Sequence, residues 1–220
     1  VDETSQAVIM EIVWYGHSCF KLSERGKATI ITDPFGEEIG YPLPKIKADV
    51  VTVSHDAPGH ANIGLVKGFR RIIDRPGEYE IGGVFIAGVA LHNLNVDPPK
   101  RNVAYLFEFD GVSVAHLGDL DHIPPQSTME MFGSVNVALV PVGGGGGLNA
   151  TEAVELISLL EPNIVIPMHF KTEQTPLDLE PLDRFLKEMG MSRVQQEQTF
   201  KISASSLPEQ TQIVLMSIGS

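Results

Sequence analysis

The chain has 220 residues, of which 43% are apolar and 20% charged. That composition excludes a disordered, collagen-like or membrane-spanning polypeptide and leaves enough length for a sizeable core. A net charge of −12 repels polyphosphate and acidic lipid, so neither nucleic acid nor a membrane surface is an expected partner.

Residues 1–9 read as an extension ahead of Met10, with residues 10–220 forming one domain; Asp2 and Glu3 stand where a signal peptide would be basic. Short Val- and Ile-rich runs at 12–15, 29–32, 50–53, 71–74, 84–91, Val103–Phe109, Val112–His116, 137–142 and 164–167 read as strands. Two short helical segments are expected at 61–67 and 127–132. Ala150–Leu160 is a helix by its signals, since Asn149 and Glu152 form a capping-box pair and Pro162 follows. Residues 180–189 place Leu182, Phe185, Leu186 and Met189 on one stripe and stop at Gly190, which reads as a second helix. Runs 200–203 and 211–217 flank Ser206-Leu207-Pro208-Glu209 as a hairpin. The mixture predicts an α/β (α+β) domain of two packed sheets with helices outside. The lone Cys19, inside an apolar run, excludes a disulfide framework and points to a reducing cytoplasm.

Histidine and aspartate fall where strands end. The run 50–53 leads into Ser54-His55-Asp56 and on to His60, and the run 84–91 into His92. Val112–His116 leads into Gly118-Asp119, and the run 164–167 into His169. Strand ends can converge on one rim, and imidazole with carboxylate suits zinc, iron or manganese. A single such histidine is more often a hydrogen-bonded structural residue; four coincidences argue for a metal site.

The ordered motifs Gly16-His17-Ser18-Cys19-Phe20, Thr32-Asp33-Pro34, Ser54-His55-Asp56, Gly118-Asp119 and Pro167-Met168-His169 resemble the metallo-β-lactamase superfamily. More narrowly, residues 141–147, the helix after them and residues 165–170 resemble the branch of zinc-dependent hydrolases related to bacterial ascorbate-phosphate lactonase. The resemblance, over residues 11–171, implies a four-layer αββα sandwich with a two-metal site at one edge between the sheets. It also implies a His-x-His-x-Asp-His motif whose first and last histidines are His55 and His60. The middle His falls on Ala57 and the Asp on Gly59, so two ligands are lost. What remains by resemblance is His55 and His92 for one metal, His60 and His169 for the other, and Asp119 as the bridging carboxylate and catalytic group.

Each pocket keeps two imidazoles and shares Asp119, which limits the chain to one zinc, manganese or iron ion at most. The implied activity is hydrolysis of a small-molecule ester, lactone or phosphoester; the alternative is a metal-free, non-catalytic binding protein. Homo-oligomerisation stays open. By resemblance Asp33 braces the metal loop. His17 either lines the pocket or bonds backbone, and Asp56 either turns inward as a replacement ligand or faces away, capping a helix that starts near His60 or bonding loop amides. The glycines at 143–147 either bind an anion through N–H groups or let backbone pass close to the rim.

Overall fold

The computed structural model describes residues 8–191, 194 and 196–219; residues 1–7 of the expected extension lie outside them. Two sheets dominate. The first has six strands in the spatial order Phe200–Ile202, Met10–Gly16, Cys19–Glu24, Ile30–Thr32, Val50–Thr52 and Arg71–Ile73. The second has seven, in the order Gln212–Ile213, Ile164–Met168, Val137–Pro141, Val112–His116, Val103–Phe109, Val84–Ala90 and Gly77–Ile81. Period-two alternation assigns the faces of the first sheet: Ile12, Trp14, Phe20, Leu22, Ile30 and Val50 join the core shared with Ile86, Tyr105, Phe107 and Val114. Their neighbours Tyr15, Cys19, Ile31 and Val51 point the other way, into a second apolar cluster with Phe35, Ile39 and Tyr41.

The helix Ala150–Leu160 has the expected bounds. Asn149 Oδ1 accepts from the Glu152 amide at 3.1 Å, and the Glu152 carboxylate accepts from the Asn149 amide at 2.9 Å. Ala150, Ala153, Leu156 and Ile157 from this helix, with Phe185 from Leu182–Glu188, pack into the main core. The opposite outer layer contains no α-helix: among the described residues none precedes Gln126. Residues 61–67, expected as a helix, instead form the 3₁₀ turn Ile63–Leu65 and the strand Val66–Lys67, because Gly64 breaks the helical run and Val66 pairs with Ile46. Among the described residues no helix is long and apolar enough to cross a membrane.

The expected C-terminal hairpin is not formed. Phe200–Ile202 pairs antiparallel with Met10–Ile12 in the first sheet, whereas Gln212–Ile213 pairs parallel with Ile164–Val165 in the second. The intervening segment crosses between sheets. Asn163 Nδ2 holds the Pro208 carbonyl at 2.7 Å, and Thr211 Oγ1 donates to the Pro162 carbonyl at 2.6 Å. Among the strands unread in the sequence, Gly77–Ile81 carries Gly and two Glu among its apolar residues.

Candidate metal centre

Both sheets end their strands at one rim. From the first come His17, at the turn joining Met10–Gly16 to Cys19–Glu24, then Asp33 after Ile30–Thr32, and His55 and His60 after Val50–Thr52. From the second come Asp119 after Val112–His116 and His169 after Ile164–Met168. Three of these, His17, Asp33 and His169, have φ of 51°, 38° and 52°. Non-glycine residues rarely enter that left-handed region, and strain of this kind collects where a site fixes its side chains. Gly16, at φ 115°, makes the turn that presents His17, and a Cβ there would meet the Tyr41 ring at 2.7 Å.

Two groups of ligand atoms lie within 4.8 Å of one another: His17, His60 and His169, and His55, His60 and Asp119. The first three are buried, Asp119 is 8% exposed, and His55 is half-buried. His92 and Asp56 belong to neither group. His92 Nδ1 accepts the Asn102 amide at 3.0 Å, and Asp56 is exposed. Both line, with His55, Arg75 and Arg101, a cleft of about 730 Å³ beside the cluster.

Ala57 supplies no donor, and Gly59 is more informative. A Cβ built on Gly59 would lie 2.9 Å from His17 Nε2 and 3.2 Å from His17 Cδ2. The His17 imidazole therefore fills the space a side chain at residue 59 would enter. His17 thus stands in the cluster with His60 and His169, which the sequence left open between lining the pocket and bonding backbone.

Asp33 organises the histidines. Fully buried, it accepts from the Ser54 amide at 2.7 Å, from Ser54 Oγ at 2.6 Å and from His60 Nδ1 at 2.8 Å. Burial alone would raise its pKa, but His116, His60 and the Ser54 hydroxyl outweigh that and hold it down to about 2. An ionised carboxylate only accepts, so His60 Nδ1 carries the proton and Nε2 keeps its lone pair. The Ser54 hydroxyl spends its one hydrogen on Asp33 and accepts from His55 Nδ1 at 3.0 Å, which frees His55 Nε2 in the same way. His60 thus has one free nitrogen while belonging to both ligand groups, so the two groups cannot be filled at once.

Asp119 faces two ways. Its Oδ1 lies 3.4 Å from His169 Nε2 and is buried without a hydrogen-bond partner, as is His169 Nδ1. Its Oδ2 accepts from Lys100 Nζ at 3.0 Å. Burial would raise the Asp119 pKa, but His169, His60 and Lys100 together lower it. Asn102 Oδ1 accepts the Asp119 amide at 3.0 Å. A Cβ on Gly147 would fall 2.6 Å from Asp119 Oδ1. The glycine run thus brings backbone against the rim, with its Gly144 and Gly147 amides engaged inside the loop. Orphaned buried atoms are rare and mark a missing partner, and either group, three imidazoles or two imidazoles with a carboxylate, makes a donor set that fits a divalent ion.

His116 and Cys19 stand outside the cluster. His116 is buried, with Nε2 2.8 Å from the Ser18 carbonyl. Burial, aided by Asp33, pushes the Cys19 thiol pKa well up, as suits a core residue and not a nucleophile.

Burial, with neighbouring histidines, lowers the pKa of His17 and takes that of His55 to about 4; burial also lowers that of His169, against the pull of Asp119. Such groups bind fewer protons folded than unfolded, so they cost stability as pH falls through the unfolded value near 6.5 toward the folded one. The metal-free protein is expected to lose stability between pH 7 and 5, with His55 alone contributing on the order of 2 kcal/mol at pH 5. Urea melts at both pH values check this, and His55→Gln should flatten the slope.

The sequence profile of the beta-lactamase superfamily domain matches residues 11–169. A UPF0173 metal-dependent hydrolase of Thermoplasma volcanium is 30% identical, over 74% of this chain and 84% of that protein. The crystal structure of a candidate zinc-dependent hydrolase of the metallo-β-lactamase superfamily from Thermotoga maritima is 40% identical and superposes with a TM-score of 0.78, covering 94% of this chain and 98% of that one. A metallo hydrolase of Ignicoccus hospitalis shares the fold at 23% identity, with a TM-score of 0.66 over 89% of this chain and 99% of the other. The profile match runs from the first strand of one sheet to the histidine that ends a strand of the other, and the protein belongs to the metallo-β-lactamase superfamily.

Proposed function

We propose that the protein is a metal-dependent hydrolase that holds one divalent ion among His17, His60, His169 and Asp119 and acts on a small ester, lactone or phosphoester. The observation that carries this reading is the convergence of three buried imidazoles within 4.8 Å on a site where Asp119 Oδ1 and His169 Nδ1 are orphaned. The names of the Thermoplasma and Thermotoga relatives support the reaction class. Three nitrogens and one carboxylate oxygen suit zinc, and also manganese or iron. Such an ion, when bound, polarises a carbonyl or phosphoryl oxygen and lowers the pKa of a coordinated water.

The chain's own residues do the rest. Asp33 fixes the His60 and His55 tautomers. Lys100 anchors Oδ2 of Asp119, which leaves Oδ1 directed toward the histidine cluster as the carboxylate donor. The cleft lined by His55, His92, Arg75 and Arg101 admits substrate to this edge. The test is elemental analysis of untagged protein, with about one ion per chain expected and Asp119→Ala losing it. Saturation at ~100 times Kd should stabilise the fold by about 2.7 kcal/mol, which raises Tm by roughly 5–11 °C in a chain of this size. No metal after incubation with excess zinc or manganese overturns the reading and leaves the non-catalytic binding protein.

A further inference from the structure

No argument from histidine spacing touches Lys100, which lies at the rim. Its ammonium accompanies the Asp119 carboxylate at 3.0 Å, donates to the Gly146 carbonyl, and lies 4.0 Å from Asp121 Oδ2. The lysine side chain is 25% exposed, Asp121 17% and Asp119 10%. Asp121 is itself held, with Oδ1 2.9 Å from His122 Nδ1 and Oδ2 accepting from Asn93 Nδ2 at 3.2 Å. Two carboxylates and a carbonyl thus surround one positive centre. The Asp119 carboxylate has this cation at Oδ2 and the three-histidine group beyond its unpartnered Oδ1.

We propose that the Lys100 ammonium is a tethered second cation of the site: it holds the position between Asp119 and Asp121 that a metal ion would otherwise take, and so keeps the chain to one ion. Oxygen donors of this kind suit a hard divalent ion such as manganese. An ammonium there offsets one of the two carboxylate charges with no second metal. It also places a fixed positive charge beside the reacting edge, with N–H capacity left for a substrate oxygen that carries or develops negative charge. The inference takes only the ion count from the one-metal reading; the Lys100 contacts stand independently.

The experiment is Mn²⁺ stoichiometry, by equilibrium dialysis with elemental analysis, on the full chain and its variants. Wild type should bind one ion, Lys100→Ala two, and Lys100→Ala with Asp121→Asn one again; Lys100→Arg should stay at one. Lys100→Gln, which keeps most of the stem, should also admit the second ion and serves if the alanine variant does not fold. A single ion in both Lys100→Ala and Lys100→Gln, or two in wild type, overturns the proposal while sparing the three-histidine site. No ion in wild type but one in Lys100→Ala, lost again with Asp121→Asn, supports the tethered cation and overturns the three-histidine site. No ion in any variant overturns both.

Discussion

Gly59→Asp on its own is expected to lower divalent-metal affinity, and removing His17 in the same chain to bring it back. A Cβ at residue 59 would already stand 2.9 Å from His17 Nε2 and 3.1 Å from Ile39 Cδ1, so a carboxylate there must displace the imidazole. Displacement breaks the three-histidine group, because the His17 ring is packed against its partners, with centroids 4.3 Å from His169 and 4.9 Å from His60. Loss of a direct ligand should cost more than the ~10–100-fold that changes behind a ligand cost. His17→Ala alone should lose as much. In the double variant the carboxylate enters the space the ring has left and binds the ion with His60 and His169, so the two losses do not add. Zinc titration calorimetry on the four proteins closes the cycle. Additive losses would mean that His17 and residue 59 do not compete for one ligand position.

That competition shows where sequence reasoning reached and where it stopped. Strand ends were legible because a buried run followed by His or Asp has a local signature, and His60 stands in one ligand group with His169 and in another with Asp119. The capping box of Ala150–Leu160 was equally local. The placing of His17 against Gly59 could not be read from the sequence, since they lie 42 positions apart. Lys100 was invisible for the same reason, as its partners Asp119 and Gly146 arrive from other loops of the second sheet's edge. The hairpin expected at 200–217 failed because turn chemistry is local while partner choice is not. Residues 61–67 lost their helix to a pairing with Ile46.

Asp33 separates the fold from the chemistry most sharply. Asp33→Ala leaves the Ser54 amide, the Ser54 hydroxyl and His60 Nδ1 buried without their acceptor. Breaking a buried charged network by removing one partner costs about 3–5 kcal/mol, which lowers Tm by roughly 6–20 °C at this chain length. The metal-free protein should show this loss in full, because the network exists without an ion. Its own pH dependence has a sign opposite to that of a raised carboxyl. With the folded pKa near 2, the stability Asp33 contributes is complete above its unfolded value and is lost as pH falls from about 4 toward 2. Asp33→Asn tests the other role. The new amide can accept from Ser54 but also presents N–H to His60, which favours the tautomer with its proton on Nε2 and its lone pair facing that amide. Metal affinity should then fall by ~10–100-fold while the fold survives better than in the alanine variant. Metal affinity unchanged in Asp33→Asn would show that the His60 tautomer is set elsewhere.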